Sequence, residues 1–202
     1  MNKTFIRQTV RLYPNKNQIQ FLNQDIGNQR FVWNHFLAET KKLYEEEKKF
    51  LFYSNTASLL VDLKKQNEFL QIGNSQALQQ TLRDFDLAVK HGYKKQKGFP
   101  RFKKKSSSGS IRLPQGCSIV DGKLKLPKIG LVKSKGSLPE VFNSVTILRK
   151  PSGKFTVGWL EWHLSEPSET NSLGKPTSTG NTYLSSIGFV QLLKFVANAD
   201  KS

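Results

Sequence analysis

The stretch SQALQQTLRDFDLAVKHGYKKQKGFPRFKKKSSSGSIRLP, residues 75–114, contains the change in sequence pattern on which the fold depends. Its first fifteen residues carry apolar side chains at spacings of three and four, which predicts a helix with one buried face. These apolar residues are Leu78, Leu82, Phe85 and Val89. The run SSSGS at residues 106–110 interrupts the pattern, and the following IRLP is typical of a short strand. The sequence therefore predicts helices before this stretch and strands after it.

The residues before this stretch predict one strand followed by further helices. Residues 4–12 alternate imperfectly between polar and apolar side chains and are interpreted as a strand. Pro14 stands where a helix can begin, because the first turn of a helix does not need its missing N–H. One apolar stripe stops near Gly27 and a second begins at Val32. We therefore expect two helices joined through Gly27, a helix-turn-helix-like hairpin, although such hairpins are common in any helical bundle.

Two more helices are predicted from residues that can cap a helix N-terminus. Ser54 or Asn55 is expected to cap the third helix, and Asn74 or Ser75 the fourth. After residue 110, short apolar runs are separated by turn signals, of which Asp121-Gly122 is the strongest. The order of strand, helices and strands predicts an α+β fold.

The predicted α+β fold is a small β-barrel or sandwich interrupted by a helical bundle and followed by an irregular tail. We expect residues 1–14 and 111–158 to form the β domain and residues 15–95 to form the helical, helix-turn-helix-like insertion. A basic linker occupies residues 96–110. Residues 159–202 are a tail rich in Ser, Thr, Pro and Gly, which is expected to lack regular structure.

The charge of the chain predicts a polyanionic partner. The formal net charge is +17, with 32 basic and 15 acidic residues. Nucleic acid is the first choice and an anionic membrane surface the second. Residues 90–105 are the densest part, with eight Lys or Arg, no acid and three aromatic residues. Such a segment can bind phosphates and offer rings for stacking or anchoring, whereas the alternative is a solvated basic loop.

Several classes of protein are excluded by what the sequence lacks. No run approaches 18 apolar residues, so no transmembrane helix is expected, and the N-terminus has no apolar signal-peptide core. The single Cys117 allows no internal disulfide, which fits a cytoplasmic protein. Since nucleic acid is the first choice of partner, we expect no membrane partner. No nucleophile, P-loop or zinc-protease motif is present, and five aspartates are interpreted as surface or turn residues rather than metal ligands. These are Asp25, Asp62, Asp84, Asp86 and Asp121. We expect no catalytic residue, no cofactor, no metal and no small-molecule substrate.

Candidate contacts to bases are found on the helices. The polar face of residues 75–89 could enter a major groove, or it could be a solvated face with an Arg83–Asp86 pair. Trp33 could stack on a base, but it is more often a core residue. Tyr53 and Ser54, with Asn55, form a polar helix start that could cap the helix alone or also contact DNA.

Taken together, the ordered blocks of this sequence resemble the N-terminal half of the TnpB (OrfB) proteins of insertion sequences. The resemblance covers about residues 5–156, through VRLYPNKNQIQFLNQDIGNQRFVWNHFLA, SQALQQTLRDFDLAVKHGYKKQKGFPRFKKKSSSGSIRLPQG and LKLPKIGLVKSKGSLPEVFNSVTILRKPSGKF. That family comprises RNA-guided DNA endonucleases. The resemblance implies a wedge-type, oligonucleotide-binding-like barrel, with guide RNA and double-stranded DNA as partners.

The resemblance also implies roles for individual residues. Residues that would read a short target-adjacent DNA motif are Tyr53, Ser54, Gln76 and Gln80, with Arg83 on the same helix as a further nucleic-acid contact. Residues that would lie along the RNA or DNA backbone are Lys94, Lys95, Lys97, Arg101, Lys103, Lys104 and Lys105. The Phe-Pro-Arg-Phe core of the basic segment, residues 99–102, is interpreted as an anchor that clamps the helices to the barrel.

The sequence departs from the family pattern near residues 156–159. There the family continues into a RuvC-like nuclease domain with a GIDLG-type strand and later a Cys-rich zinc element, and neither appears here. The Mg and Zn sites of the family would lie in that missing part. We expect a truncated or frameshifted copy that binds nucleic acid without cutting it. A regulator or repressor made from the same parts, and one chain of a split active nuclease, remain the alternatives.

Overall fold

The computed structural model describes residues 2–136, 138–139 and 144–165, and within these ranges it describes side chains from residue 8 to residue 159. The chain divides into residues 7–161 and a second unit that combines residues 1–6 with 162–202. All four described helices lie in the first unit. The fold in the described residues is α+β, as predicted.

Helix α1, Lys16–Glu47, is continuous through Gly27, so the predicted helical hairpin is wrong. Its N-terminus has a capping box, in which Asn15 and Gln18 each accept a hydrogen bond from the other's backbone N–H. The apolar stripe changes near Gly27 because this one helix contributes to two cores. Leu22 packs in the core of the sheet, whereas Val32 belongs to the core of the helices. A glycine inside a helix costs about 1 kcal/mol, which is small beside the burial of these side chains.

Three further helices follow α1, namely α2 (Tyr53–Gln66), α3 (Glu68–Ile72) and α4 (Ser75–Tyr93). The cap of α4 is Asn74, as predicted, and its side chain accepts a hydrogen bond from the backbone N–H of Gln76. The caps predicted for α2 are wrong, because α2 already begins at Tyr53 and its N-cap, Phe52, has no capping side chain. The backbone N–H of Tyr53 instead donates to Asp86 Oδ1 of α4 at 3.0 Å. The short helix α3 was not predicted.

In the described residues, seven strands form one sheet in the order β2-β6-β7-β1-β5-β4-β3. Their bounds are β1 (Asn2–Tyr13), β2 (Gly109–Leu113), β3 (Ser118–Val120), β4 (Lys123–Leu126), β5 (Gly130–Ser134), β6 (Val145–Arg149) and β7 (Phe155–Ser165). The register-matched pairs are antiparallel, and positive φ angles at Asp121 and Gly122 make the predicted β3–β4 turn.

The predicted closed β-barrel is wrong for the residues that the structure describes. A barrel requires the two edge strands to pair, but the edges here are β2 and β3, and they do not pair with each other. Strand β2 packs against α1 and α4. The architecture is an open antiparallel sheet with a helical region inserted between β1 and β2.

Two hydrophobic cores hold these layers. The core of the sheet is built from alternate strand residues, including Leu12, Ile111, Leu113, Leu124, Val132 and Val157. The core of the helices contains Phe36, Leu70, Leu78 and Phe85. Trp33 also belongs to this second core, with its ring edge-on to Phe85 at 5.4 Å. The interpretation of Trp33 as a core residue is therefore confirmed.

Candidate nucleic-acid interface

The basic segment, residues 90–105, starts in the last turn of α4 and then folds back over the end of that helix. The carbonyl of His91 accepts hydrogen bonds from the backbone N–H groups of Gln96 and Lys97 at 3.0 and 3.3 Å. Gly92 permits the chain to return close by, because a Cβ there would lie 3.1 Å from Phe99 Cα. This turn presents an exposed cationic set: Lys94, Lys95 and Lys97.

The next residues, 99–105, form an extended strap along α1, to which two side chains of that helix bind. The indole N–H of Trp33 donates to the carbonyl of Arg101 at 3.0 Å. The amide of Asn34 pairs with the backbone of Lys103 in both directions, accepting at 2.8 Å and donating at 3.0 Å. Phe99 packs against the core of the helices. The strap is therefore fixed by its backbone and by Phe99.

Fixing the backbone leaves most cations of the strap exposed to solvent. Arg101, Lys104 and Lys105 are exposed. Lys103 differs from them, because its ammonium lies 3.7 Å from the centre of the Trp33 ring. Lost hydration at this position lowers the pKa of Lys103, and Asp84 opposes the effect. All seven predicted backbone contacts are exposed residues, and Lys103 differs from the other six in that its ammonium lies against an aromatic ring.

The predicted base-reading residues fall into two places. The guanidinium of Arg83 lies 5.6 Å from the ring of Tyr53, beside the exposed Ser54. The alternative Arg83–Asp86 pair is wrong, because Asp86 pairs with Lys90 at 2.7 Å. Gln80 donates to Asp84 on the same helix at 3.0 Å. The α2 start and the middle of α4 thus form one polar surface.

Gln76 lies apart from Arg83, by about 10 Å along the helix axis. It is half-buried beside the sheet, where its Nε2 comes within 3.7 Å of the position that a Cβ on Gly116 would take. The structure does not bring Gln76 together with Tyr53. A ligand that contacts both must extend over two turns of α4.

A polar joint between the sheet and the helices was missed by sequence reasoning. Lys128, in the turn after β4, donates to the carbonyls of residues 71–73 at 2.8 to 3.3 Å. Gln18 donates to the carbonyl of Leu131 at 2.9 Å. Asp25, which was interpreted as a surface residue, is buried and accepts from the backbone N–H of Asn74 at 2.8 Å. Burial raises the pKa of Asp25, although Asn74 and Lys128 oppose the shift.

The same polar joint explains why residue 73 is a glycine. A Cβ at Gly73 would lie 2.8 Å from the Asp25 carboxylate and still closer to the amide of Asn28, so a larger residue between α3 and α4 requires these buried side chains to move. The capping-box spacing of Asn15 and Gln18 marks only the start of α1, and Lys128 carries no motif that would have found it. Only their pairing with carbonyls far along the chain shows what they do.

Two other kinds of site, a metal centre and a membrane-spanning helix, are absent from the described residues. No group of three or more His, Cys, Asp or Glu side chains is placed to hold a metal ion there. No described helix is both long and apolar enough to cross a membrane.

Comparisons with known proteins agree with the resemblance seen in the sequence. Residues 1–49 match the OrfB/IS605-type family described as "Helix-turn-helix domain", although these residues here form β1 and the single helix α1. The protein of Escherichia coli strain K12 named RNA-guided DNA endonuclease InsQ is 32% identical over 165 residues, which are 79% of this chain and 39% of that protein. A protein of Streptomyces pristinaespiralis named RNA-guided DNA endonuclease is 28% identical over 159 residues, which are 74% of this chain and 40% of that protein. The chain thus spans about two fifths of the length of these relatives, and it belongs to the TnpB (OrfB) family of insertion-sequence proteins.

Proposed function

We propose that this chain binds guide RNA and double-stranded target DNA as the recognition part of a TnpB-type RNA-guided DNA endonuclease. The observation that carries the proposal is the strap, whose backbone is fixed on α1 while its cations remain exposed. Cations held in place lose less conformational freedom when they meet phosphates. The turn at the end of α4 adds three exposed lysines to this cationic surface, namely Lys94, Lys95 and Lys97.

Within this proposal, the two parts of the interface have different roles. The exposed cations of the basic segment contact phosphates and set the register of the nucleic acid. The surface formed by Tyr53, Ser54 and Arg83, with Gln80 nearby, contacts base edges of a short DNA motif. Gln76 contributes at the sheet end of α4. In this proposal the open sheet takes the place of the wedge-type barrel. Strand β7 runs to Ser165, so regular structure continues past residue 159, where the irregular tail was expected to begin. The rest of the predicted tail, residues 166–202, lies outside the described residues.

We further propose that this chain binds without cutting and without a metal or other cofactor of its own. The support is the loss of family resemblance near residues 156–159. The alternatives, a regulator or repressor and one chain of a split active nuclease, would use the same binding surfaces.

Sequencing the RNA that co-purifies with the chain separates binding of a specific guide RNA from general binding of RNA by charge. A discrete transposon-end transcript supports guide binding, whereas bulk ribosomal RNA indicates charge alone.

The salt dependence of duplex binding tests the role of the basic segment. If roughly five of its eight cations contact phosphates, the slope of log K against log salt is about −4 to −5. The double substitution Lys104→Gln and Lys105→Gln is expected to reduce the size of this slope by about 2. The matched control is Lys150→Gln with Lys154→Gln, two exposed lysines of the β6–β7 hairpin.

A wild-type slope near zero contradicts the electrostatic contacts altogether. Equal effects of the two double variants contradict the assignment to the basic segment, because the control removes the same charge elsewhere. Circular dichroism of all three proteins confirms that the comparison is made between folded chains.

A further inference from the structure

An aromatic cleft lies beside the basic segment and is used by none of the contacts described so far. It is an open cavity of about 540 Å³ between the end of α1, the connection to α2 and the last turn of α4. Its walls include Phe50, Phe52 and Tyr93, together with Lys48 and Asn55. The surface therefore combines rings, a cation and an amide in one concave place.

The rings of the aromatic cleft are held in position by packing. Phe50 packs against the core of the helices and is stacked with Tyr44, with ring centres 4.8 Å apart. Tyr93 meets Phe50 edge-on at 5.5 Å. Tyr93 nevertheless keeps 65% of its surface exposed, and Tyr44 keeps 44%. An exposed group of rings on a buried support is a feature of interaction sites.

The charges around the aromatic cleft favour an anionic occupant. The Lys48 ammonium lies 5.2 Å from the Tyr44 ring, and Lys94 and Lys95 directly follow Tyr93. Within the described part of the chain these three lysines form no ion pair, whereas Lys49 is paired with Glu47 and Lys90 with Asp86. An apolar peptide in the cleft would strip water from lysines without giving them a partner. A nucleotide offers a flat base to the rings and a phosphate to the lysines.

We propose that the aromatic cleft binds one unpaired nucleotide, with its base stacked on the Tyr93 side of the ring cluster and its phosphate near Lys48 and Lys94. The inference rests on the proposed function only in that the ligand is nucleic acid. Tyr93 lies within the basic segment, so a strand that follows the cations of the segment passes the cleft. Stacking of this kind accepts any base, because every base has a flat face.

The test compares two hexamers that have the same phosphates, one of thymidine and one of abasic deoxyribose, in binding to the full chain at low salt. The wild-type chain is expected to prefer the thymidine hexamer by about 5- to 150-fold, which is the range for stacking of one base on an aromatic residue. Tyr93→Ala removes most of this preference, and Tyr93→Phe retains it because the ring remains. The matched control is Tyr13→Ala, another half-exposed tyrosine beside an arginine, which lies on β1 and outside the cleft.

The outcomes separate this inference from the proposed function. Equal binding of the two hexamers by the wild-type chain overturns the cleft proposal without any variant, even though duplex binding through the basic segment persists. A preference that survives in Tyr93→Ala, or is lost equally in Tyr13→Ala, also overturns it. Failure of the wild-type chain to bind either hexamer, duplex DNA or RNA overturns both proposals. A parallel series with hexauridylate shows whether the preferred strand is RNA or DNA.

Discussion

Substitution of Asn34 by alanine is expected to release the strap from α1 without unfolding the protein. Asn34 makes two hydrogen bonds to the backbone of Lys103, and both lie at the surface. A typical intramolecular hydrogen bond contributes about 0.5 to 1.5 kcal/mol net. Because both bonds are exposed to solvent, each is expected to contribute in the lower half of that range. The loss of both bonds therefore weakens the attachment of the strap to α1 by about 1 to 2 kcal/mol.

The same substitution changes the overall stability very little. Alanine in a helix interior is more favourable than asparagine by a few tenths of a kcal/mol, which partly offsets the lost hydrogen bonds. A local measurement is therefore required. Local opening governs proteolysis when reclosing is fast, so the rate of tryptic cleavage within residues 101–105 is expected to rise about 5- to 30-fold.

Limited trypsin digestion followed by mass spectrometry measures this rate. Cleavage after Lys94 and Lys95 serves as an internal reference, because that turn is exposed in both proteins. Asn17→Ala is the matched control, an exposed asparagine near the start of the same helix. Equal cleavage of the strap in Asn34→Ala and in wild type would show that these hydrogen bonds do not hold it. Asn34 would then not hold the cations of the strap in place for binding phosphates either.

Three further outcomes are expected. Since the pKa of Asp25 is raised in the folded state, its favourable contribution is present below pH 3.8 and is lost as the pH rises through the folded pKa. In urea unfolding across this window, wild type should lose stability relative to Asp25→Asn as the pH rises, and a constant difference would contradict the assignment. Burial raises the pKa of Cys117 to about 11, so alkylation at pH 8 should be roughly two orders of magnitude slower in the folded chain than in urea. Equal rates would show that burial does not suppress the thiolate. Incubation of the 202-residue chain with Mg²⁺, guide RNA and target DNA should leave the DNA intact on a gel, whereas specific cleavage would refute the proposal of binding without cutting.

Much of the local structure follows from short-range patterns in the sequence. The stripe through Leu78 and Phe85, together with the cap at Asn74, predicts α4 because helix periodicity and capping act within a few residues. The Asp121-Gly122 turn and the alternating runs beside it predict β3 and β4 for the same reason. The excess of basic residues, concentrated in residues 90–105, indicates a polyanionic partner regardless of the fold.

Other features depend on contacts between residues that are distant in the chain. The stripe change at Gly27 was read as a break because a periodicity cannot show that one helix packs against two cores. The start of α2 is bound by Asp86, which lies 33 residues away, so no local cap could be read from the sequence. Asp25 is polar by type yet buried by its position at the joint.

The sequence by itself thus determined the family, the α+β class, the charge and most element positions, since these depend on composition, block order and neighbouring residues. Only the tertiary structure decided that the sheet is open, because the pairing of strands that are distant in the chain leaves β2 and β3 as its two edges. It also decided how the cations are held. The Lys103 ammonium lies against the Trp33 ring, and this contact arises from packing across about seventy residues of chain rather than from any pattern within the segment.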